Sequence, residues 1–402
     1  MQTSINKQKP VKTNTNKHRF SGNRQRSKAP KISTLNPNLL IQKATVVASE
    51  RTITVETKFE DMQLQPQLKT NIQKMGFVSP TEIQDKTFDQ LVEGVNLIGI
   101  ANTGTGKTGA FLIPILENLL RNKDQKFQSL IIVPTRELAL QVYDEFKKLS
   151  EGLKLRAACY IGGTNIEKDI RSLTNYFDLF IGTPGRLLDL RNRGNLKLER
   201  FEVLVLDEFD KMLDMGFIRD VRELINGMKR RKQTLLFSAT KDPKQQTIIN
   251  EIVTNPFLVE IHSGDTSSKN VDQDIIRVQE GQDKYKLLLE LLANPKFDKV
   301  ILFTETKHLA NRLSQKLIGS GITSDRIHGN KSQNYRINAL DKFKNGDVRV
   351  LVATDVAARG IDVNNVTLVI NYQLPMDFDT YIHRIGRTGR AGKTGTAYTF
   401  VD

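Results

Sequence analysis

The sequence predicts an α/β protein of two domains, each a parallel sheet covered by helices on both faces. Three observations carry that expectation. At 402 residues the chain is longer than one core ordinarily organises. From Phe59 onward, short β-rich apolar runs alternate with amphipathic stretches of helical period. That alternation stops at the polar stretch Ser263-Gly264-Asp265-Thr266-Ser267-Ser268-Lys269-Asn270 and then restarts. The apolar runs of the first half are Leu130–Val133, Leu179–Ile181, Val203–Leu206 and Thr234–Phe237. Those of the second half are Lys299–Phe303, Val348–Val352, Leu368–Ile370 and Ala397–Val401. Continuous apolar strands, rather than strands with one polar face, are what a sheet buried on both sides requires. The expected organisation is a disordered basic arm over 1–55, a first domain over 56–262, a linker over 263–270 and a second domain over 271–402.

The net charge of +15 is unevenly placed. No acid precedes Glu50, whereas Lys7, Lys9, Lys12, Lys17, Arg19, Arg24, Arg26, Lys28, Lys31 and Lys43 all do. The body is therefore only mildly basic, and the arm is the strong electrostatic element. Low apolar periodicity and many Asn, Gln, Ser and Thr residues predict disorder there. A flexible cationic arm suits a polyanion, held through counterion release; a solubilising tail or an organelle transit peptide fits the same composition. No apolar run approaches the roughly 18 residues of a membrane span, so no membrane role is expected. A single cysteine, Cys159, excludes an internal disulfide framework and points to a reducing, cytoplasmic setting.

The sharpest local signal is Ala101-Asn102-Thr103-Gly104-Thr105-Gly106-Lys107-Thr108, lying between the apolar run Leu97–Ile100 and a helical pattern from Ala110. Strand, glycine loop and helix form a phosphate cradle, because glycine tolerates the backbone angles that turn successive N–H groups toward an anion. In that arrangement Lys107 reaches the terminal phosphates and the Thr108 hydroxyl ligates Mg²⁺. Asp207-Glu208-Phe209-Asp210 follows the apolar run Val203–Leu206 directly. One carboxylate there can hold Mg²⁺ while another orients or deprotonates water for in-line attack.

Two further strand ends share a grammar: Pro134-Thr135-Arg136-Glu137-Leu138 and Thr183-Pro184-Gly185-Arg186. Each offers a capped helix start and a nearby arginine to an anion. Such paired sites suit successive phosphates of a nucleic-acid strand without reading bases. In the second half, His383-Arg384-Ile385-Gly386-Arg387-Thr388-Gly389-Arg390 spaces arginines by three, so that Arg387 and Arg390 can converge on one phosphate. Ala353-Thr354-Asp355 through Arg359-Gly360-Ile361-Asp362 follows another apolar strand and suits either ligand.

In this order and spacing, the motifs from about residue 59 to 402 resemble those of the DEAD-box RNA helicases of helicase superfamily 2. The resemblance implies two tandem RecA-like domains, ATP and Mg²⁺ as cofactors, and RNA as partner. Gly76-Phe77 with Pro80-Thr81-Glu82-Ile83-Gln84 is similar to the family's Q motif, which implies that Gln84 reads adenine and that Phe59 packs on the base. By the same resemblance Thr103, Gly104, Thr105, Gly106, Lys107 and Thr108 bind the phosphates, with Lys107 catalytic. Asp207 would hold the metal through water, and Glu208 would be the catalytic base. Asp362 would meet the ribose, and Arg387 with Arg390 would be the arginine fingers. Asp210, Ser238, Thr240 and His383 would couple hydrolysis to unwinding. RNA contacts are implied for Pro134, Thr135, Arg136, Gly163, Thr183, Gly185, Arg186, Thr304, Gln333, Arg336, Thr354 and Gly360.

Phe209 departs from the family pattern, which has Ala there, and bears on how hydrolysis is coupled to strand separation. The expected activity is RNA-stimulated ATP hydrolysis by a monomer that separates short duplexes or remodels RNA–protein complexes, with ribonucleoprotein or ribosome-assembly partners. The competing reading is an ATP-gated RNA clamp in which hydrolysis only sets release; a DNA translocase is weaker than either.

Overall fold

The computed structural model describes residues 33, 35–44, 55–102, 104–122, 128–240, 243–261, 270–358, 363, 365–389 and 394–402. Thr103, Gly360, Asp362 and Arg390 lie outside the described residues, as do residues 1–32 of the arm and 263–269 of the linker.

Seven strands build the first sheet: β1 (Leu97–Ile100), β2 (Gln128–Ile132), β3 (Ala157–Tyr160), β4 (Leu179–Gly182), β5 (Phe201–Leu206), β6 (Gln233–Ser238) and β7 (Phe257–Glu260). Their spatial order is β3-β4-β2-β5-β6-β1-β7, with every pairing parallel. The second sheet has β8 (Val271–Arg277), β9 (Val300–Phe303), β10 (Ser324–Ile327), β11 (Val350–Ala353), β12 (Leu368–Asn371) and β13 (Gly395–Val401), ordered β10-β11-β9-β12-β13-β8 and again parallel throughout. Helices flank both sheets, the architecture of tandem RecA-like domains.

The two-residue period of a strand sends alternate side chains to opposite faces, so each sheet seeds two cores. In the first domain Ile131, Val205, Leu235 and Phe237 meet the helix Lys107–Arg121 on one side. Leu130, Ile132, Leu204, Leu206 and Leu236 meet Phe209, Leu187 and Val221 on the other. The second domain repeats this, with Ile301, Leu351 and Val369 on one face and Val300, Leu302, Val350 and Ile370 on the other. Helices start where the sequence supplies caps. Thr135 Oγ1 accepts the Leu138 N–H at 3.3 Å, and Asp377 Oδ1 accepts the Thr380 N–H at 2.7 Å.

The expectation of disorder throughout 1–55 is corrected by Ser33 and residues 35–44, which dock on the second domain. Asn36 caps a short 3₁₀ turn, Pro37–Leu40, and Leu40 is fully buried beside Val271 and Tyr381. Gln42 forms an antiparallel bridge with Gln273 of β8: the Gln42 N–H donates at 3.0 Å and the Gln273 N–H at 2.7 Å. The Ala44 N–H donates to Asp272 Oδ1 at 2.9 Å, and the Ser33 hydroxyl to the Pro375 carbonyl at 2.6 Å. Composition misses this because the driving force lies elsewhere. β8 is an edge strand whose unpaired backbone groups accept a partner, and one leucine inserted into an existing core contributes about 1.5–3 kcal/mol.

Candidate nucleotide site at the domain junction

The phosphate loop is built as its glycines require. Gly104 and Gly106 have φ of +90° and +89°, left-handed values. A Cβ on Gly106 would come within 2.7 Å of Thr81 Oγ1 and 2.8 Å of Gln84 Nε2. Those two side chains form a capping box at the start of the helix Glu82–Val92, and Gln84 Nε2 also donates to the Gly106 carbonyl at 3.0 Å. Gln84 therefore fastens the loop to the helix before it. Phe59 is 2% exposed, committed to the first domain's core, and its N–H donates to the Val78 carbonyl at 3.0 Å.

Lys107 opens its helix and is 7% exposed; its Nζ donates to the Ala101 carbonyl at 2.7 Å. Thr108 follows it, half-buried. At the end of β5, Asp207 is 2% exposed and accepts the Glu208 N–H at 2.9 Å. Burial pushes its carboxyl up to about 6, against the opposing charge of Lys107. A buried carboxylate that burial keeps from ionising readily, with the Lys107 charge beside it, is the oxygen-donor chemistry that suits a hard divalent cation. Glu208 has φ of +53°, a strained value for a non-glycine residue. Burial opposes its ionisation, but the Lys211 ammonium outweighs it and holds the carboxyl below its usual range.

Asp210 joins this turn to the end of β6. Its Oδ2 accepts the Ala239 N–H at 3.1 Å and lies 3.5 Å from Thr240 Oγ1, while the buried Ser238 hydroxyl donates to the Thr240 carbonyl at 2.9 Å. Phe209 is fully buried, its ring filling the core beneath the turn.

The second domain faces this site with Arg387, 7% exposed in the turn after the helix Phe378–Ile385 and close enough for its charge to bear on both Glu208 and Lys211. His383 lies half-buried on that helix. Arg384, from the same run, is committed elsewhere. Its guanidinium grips Asp355 at 2.6 and 2.8 Å and donates to Asn371 Oδ1 at 3.1 Å, tying the ends of β11 and β12 to the helix.

The residues expected to meet a nucleic-acid strand divide into two groups. Thr135, Pro134, Thr183 and Arg186 are buried, while Gly163 and Gly185 are exposed. Arg186 pairs with Asp169 and donates to the Thr164 carbonyl at 2.8 Å, so it braces the loop that carries Gly163. Gly163, at φ +83°, leaves room for the Arg136 guanidinium. Thr304 and Thr354 cap the ends of β9 and β11, both buried. Gln333 and Arg336 cross the junction: Gln333 Nε2 donates to Glu137 Oε1 at 3.1 Å and Arg336 pairs with Glu137 Oε2 at 2.9 Å. Two participants had no role assigned from the sequence: Glu137, which stands inside the motif Pro134–Leu138, and Lys211. Each directly follows a motif residue, in the first turn of a helix that leaves a strand end, and that position was the signal the sequence offered.

A family model described as DEAD/DEAH box helicase matches residues 81–248, and one described as helicase conserved C-terminal domain matches residues 283–392. The chain is 44% identical over 345 residues to the ATP-dependent RNA helicase CshA of Listeria monocytogenes, covering 86% of this chain and 66% of that protein. It is 42% identical over 345 residues to the DEAD-box ATP-dependent RNA helicase CshA of Geobacillus kaustophilus, covering 86% of this chain and 73% of that one. Among solved structures, S. cerevisiae Dbp5 bound to RNA and ADP BeF3 is similar with a TM-score of 0.75 and 31% identity, over 86% of this chain and 89% of that one. With its phosphate loop, paired strand-end carboxylates and facing arginine, the chain belongs to the DEAD-box family of ATP-dependent RNA helicases.

Proposed function

We propose that the chain hydrolyses ATP to ADP and phosphate when RNA is bound, and that closure of the second domain on the first locally separates short RNA duplexes or remodels RNA–protein complexes. The observation that carries this is the split site: Lys107, Asp207 and Glu208 stand on one domain while Arg387 faces them from the other. In this reading the phosphate loop from Thr103 to Thr108 cradles the phosphates, Gln84 and Phe59 hold the adenine side, and Asp362 meets the ribose. Glu208 takes the proton of the attacking water, and Lys107, Arg387 and Arg390 offset charge on the transferring phosphoryl group. Mg²⁺, held by Thr108 and by Asp207 through water, would neutralise charge on the phosphate oxygens.

RNA would lie across both domains, on Pro134, Thr135, Arg136, Gly163, Thr183, Gly185 and Arg186 of the first and on Thr304, Gln333, Arg336, Thr354 and Gly360 of the second. Sugar and phosphate contacts make such binding largely indifferent to sequence. Asp210, Ser238, Thr240 and His383 would link the state of the phosphates to the junction. A cytoplasmic monomer meeting ribonucleoprotein partners completes the proposal; among the described residues, no helix is long and apolar enough to cross a membrane.

The experiment compares ATP hydrolysis with and without RNA, and release of a short duplex, for the wild type and for Glu208→Gln. The wild type should show RNA-stimulated hydrolysis and duplex release, and the variant should bind ATP and RNA without turnover. Stimulated hydrolysis with no duplex release would favour the clamp, and hydrolysis indifferent to RNA would overturn the RNA reading.

A further inference from the structure

The two carboxylate oxygens of Glu208 stand in different surroundings. Lys211 Nζ donates to Oε1 at 2.5 Å, whereas Oε2 is buried with no hydrogen-bond partner among the described residues. Both residues are almost wholly buried: Lys211 is 2% exposed and Glu208 5%. A lysine ammonium is expensive to bury and survives there only when paired and hydrogen-bonded, so its presence beside this one oxygen calls for a reason.

The geometry holding the pair is itself fastened. Glu208 precedes the short helix Phe209–Asp214 in a left-handed conformation, which brings its carboxylate over the first turn, three residues from Lys211. Beneath them, Phe209 and Met212 are fully buried and fix the helix against the sheet. The Lys211 N–H donates to Asp210 Oδ1 at 2.9 Å, and Asp210 Oδ2 accepts from Ala239. The other charges facing the pair are Lys107 and Asp207 from the first domain and Arg387 from the second.

From this we infer that Lys211 is a positioning residue: by anchoring Oε1 it stops rotation of the carboxylate and leaves Oε2 aimed into the site, as the oxygen that accepts the proton of the attacking water. The inference rests on Glu208 being the general base. The side-chain partner of the Lys211 ammonium is Glu208 Oε1, so Lys211 acts through Glu208. A carboxylate free to rotate would present the correct oxygen only part of the time, and small misplacements of a reacting group cost rates of about 10²-fold.

The test uses the full chain and three variants, Lys211→Arg, Lys211→Gln and Lys211→Met, with kcat and the KM for ATP measured at saturating RNA. The expected order of kcat is wild type, then Arg, then Gln, then Met, following the ability to donate to Oε1. Lys211→Met should lose about 10- to 100-fold in kcat, with the KM for ATP and the binding of a fluorescent non-hydrolysable ATP analogue within about threefold of wild type. A purely structural lysine would instead shift KM, analogue binding and the melting temperature with kcat, and Arg would not rescue it; that pattern overturns the inference. So does a kcat for Lys211→Met within about threefold of wild type. Combining Lys211→Met with Glu208→Gln should cost no more than Glu208→Gln alone, because residues acting as a unit are non-additive; additive losses contradict it. Where Lys211→Met does not fold, the comparison of Arg with Gln carries the same test. If Glu208→Gln itself keeps RNA-stimulated turnover, the base assignment fails, which is distinct from a dead Glu208→Gln beside a fully active Lys211→Met.

Discussion

The two domains are built on the same parallel-sheet plan and finish their strand ends differently. In the first, the polar groups at the site answer one another within the domain: Gln84 to Gly106, Lys107 to the Ala101 carbonyl, Asp210 to Ala239, and Lys211 to Glu208. In the second, one arginine of the His383–Arg390 run is spent inside the domain on Asp355, while Arg387 faces across the junction, as do Gln333 and Arg336. The first domain is thus a pre-assembled cradle. The second presents polar and charged groups toward the junction, and in the proposed reading catalysis would depend on where that domain sits.

The two arginines Arg384 and Arg387 separate the roles of the domains most strongly. Replacing Arg387 by Ala is expected to cut turnover by about 10³-fold, the contribution of an arginine that meets the phosphoryl group from across a cleft, and to leave the melting transition where it was. Replacing Arg384 by Met should do the reverse in kind. It leaves Asp355 without its partner, so stability should fall by about 3 kcal/mol, visible as a lower denaturant midpoint. Equal effects of the two variants on turnover with no difference in stability would erase the distinction drawn between them.

That distinction marks how far the sequence could be read. The strands, the phosphate loop and the acids at the end of β5 are legible because local rules place them: apolar runs, glycines with positive φ, and carboxylates immediately after a strand. Spacing along the chain does not say which arginine of an evenly spaced row will meet a carboxylate 29 residues earlier, as Arg384 meets Asp355. Nor does it pair Gln333 with Glu137, 196 residues apart. Leu40 was hidden for a related reason. A single leucine in a polar, charged stretch has no period, and its burial depends on an edge strand more than two hundred residues away.

The edge of the second sheet contributes to stability rather than to turnover. Leu40→Ala should destabilise the second domain by about 2 kcal/mol, read as an earlier unfolding transition, with ATP turnover within about twofold of wild type. Unchanged unfolding would mean that the segment contributes nothing to that domain's core.

Burial raises the Asp207 carboxyl to about 6 in the folded chain, above the roughly 3.9 of an unfolded aspartate. A raised value favours folding fully below the unfolded pKa, and this contribution is lost as pH rises through about 6. The stabilisation gained on adding Mg²⁺ and a non-hydrolysable ATP analogue should therefore be larger at pH 7.5 than at pH 5.5, as a difference in melting temperature of about 1–3 °C. The opposite trend would argue against Asp207 as the carboxylate that faces the cation.

On the proposed reading, the nucleotide site is complete only when the second domain stands against the first. The most direct measurement of that dependence is ATP turnover as RNA is titrated, for the wild type and Arg387→Ala together, with binding of a fluorescent ATP analogue followed in the same samples. RNA should stimulate turnover in the wild type and fail to do so in the variant, while both bind the analogue alike. Equal stimulation of the two proteins would contradict the claim.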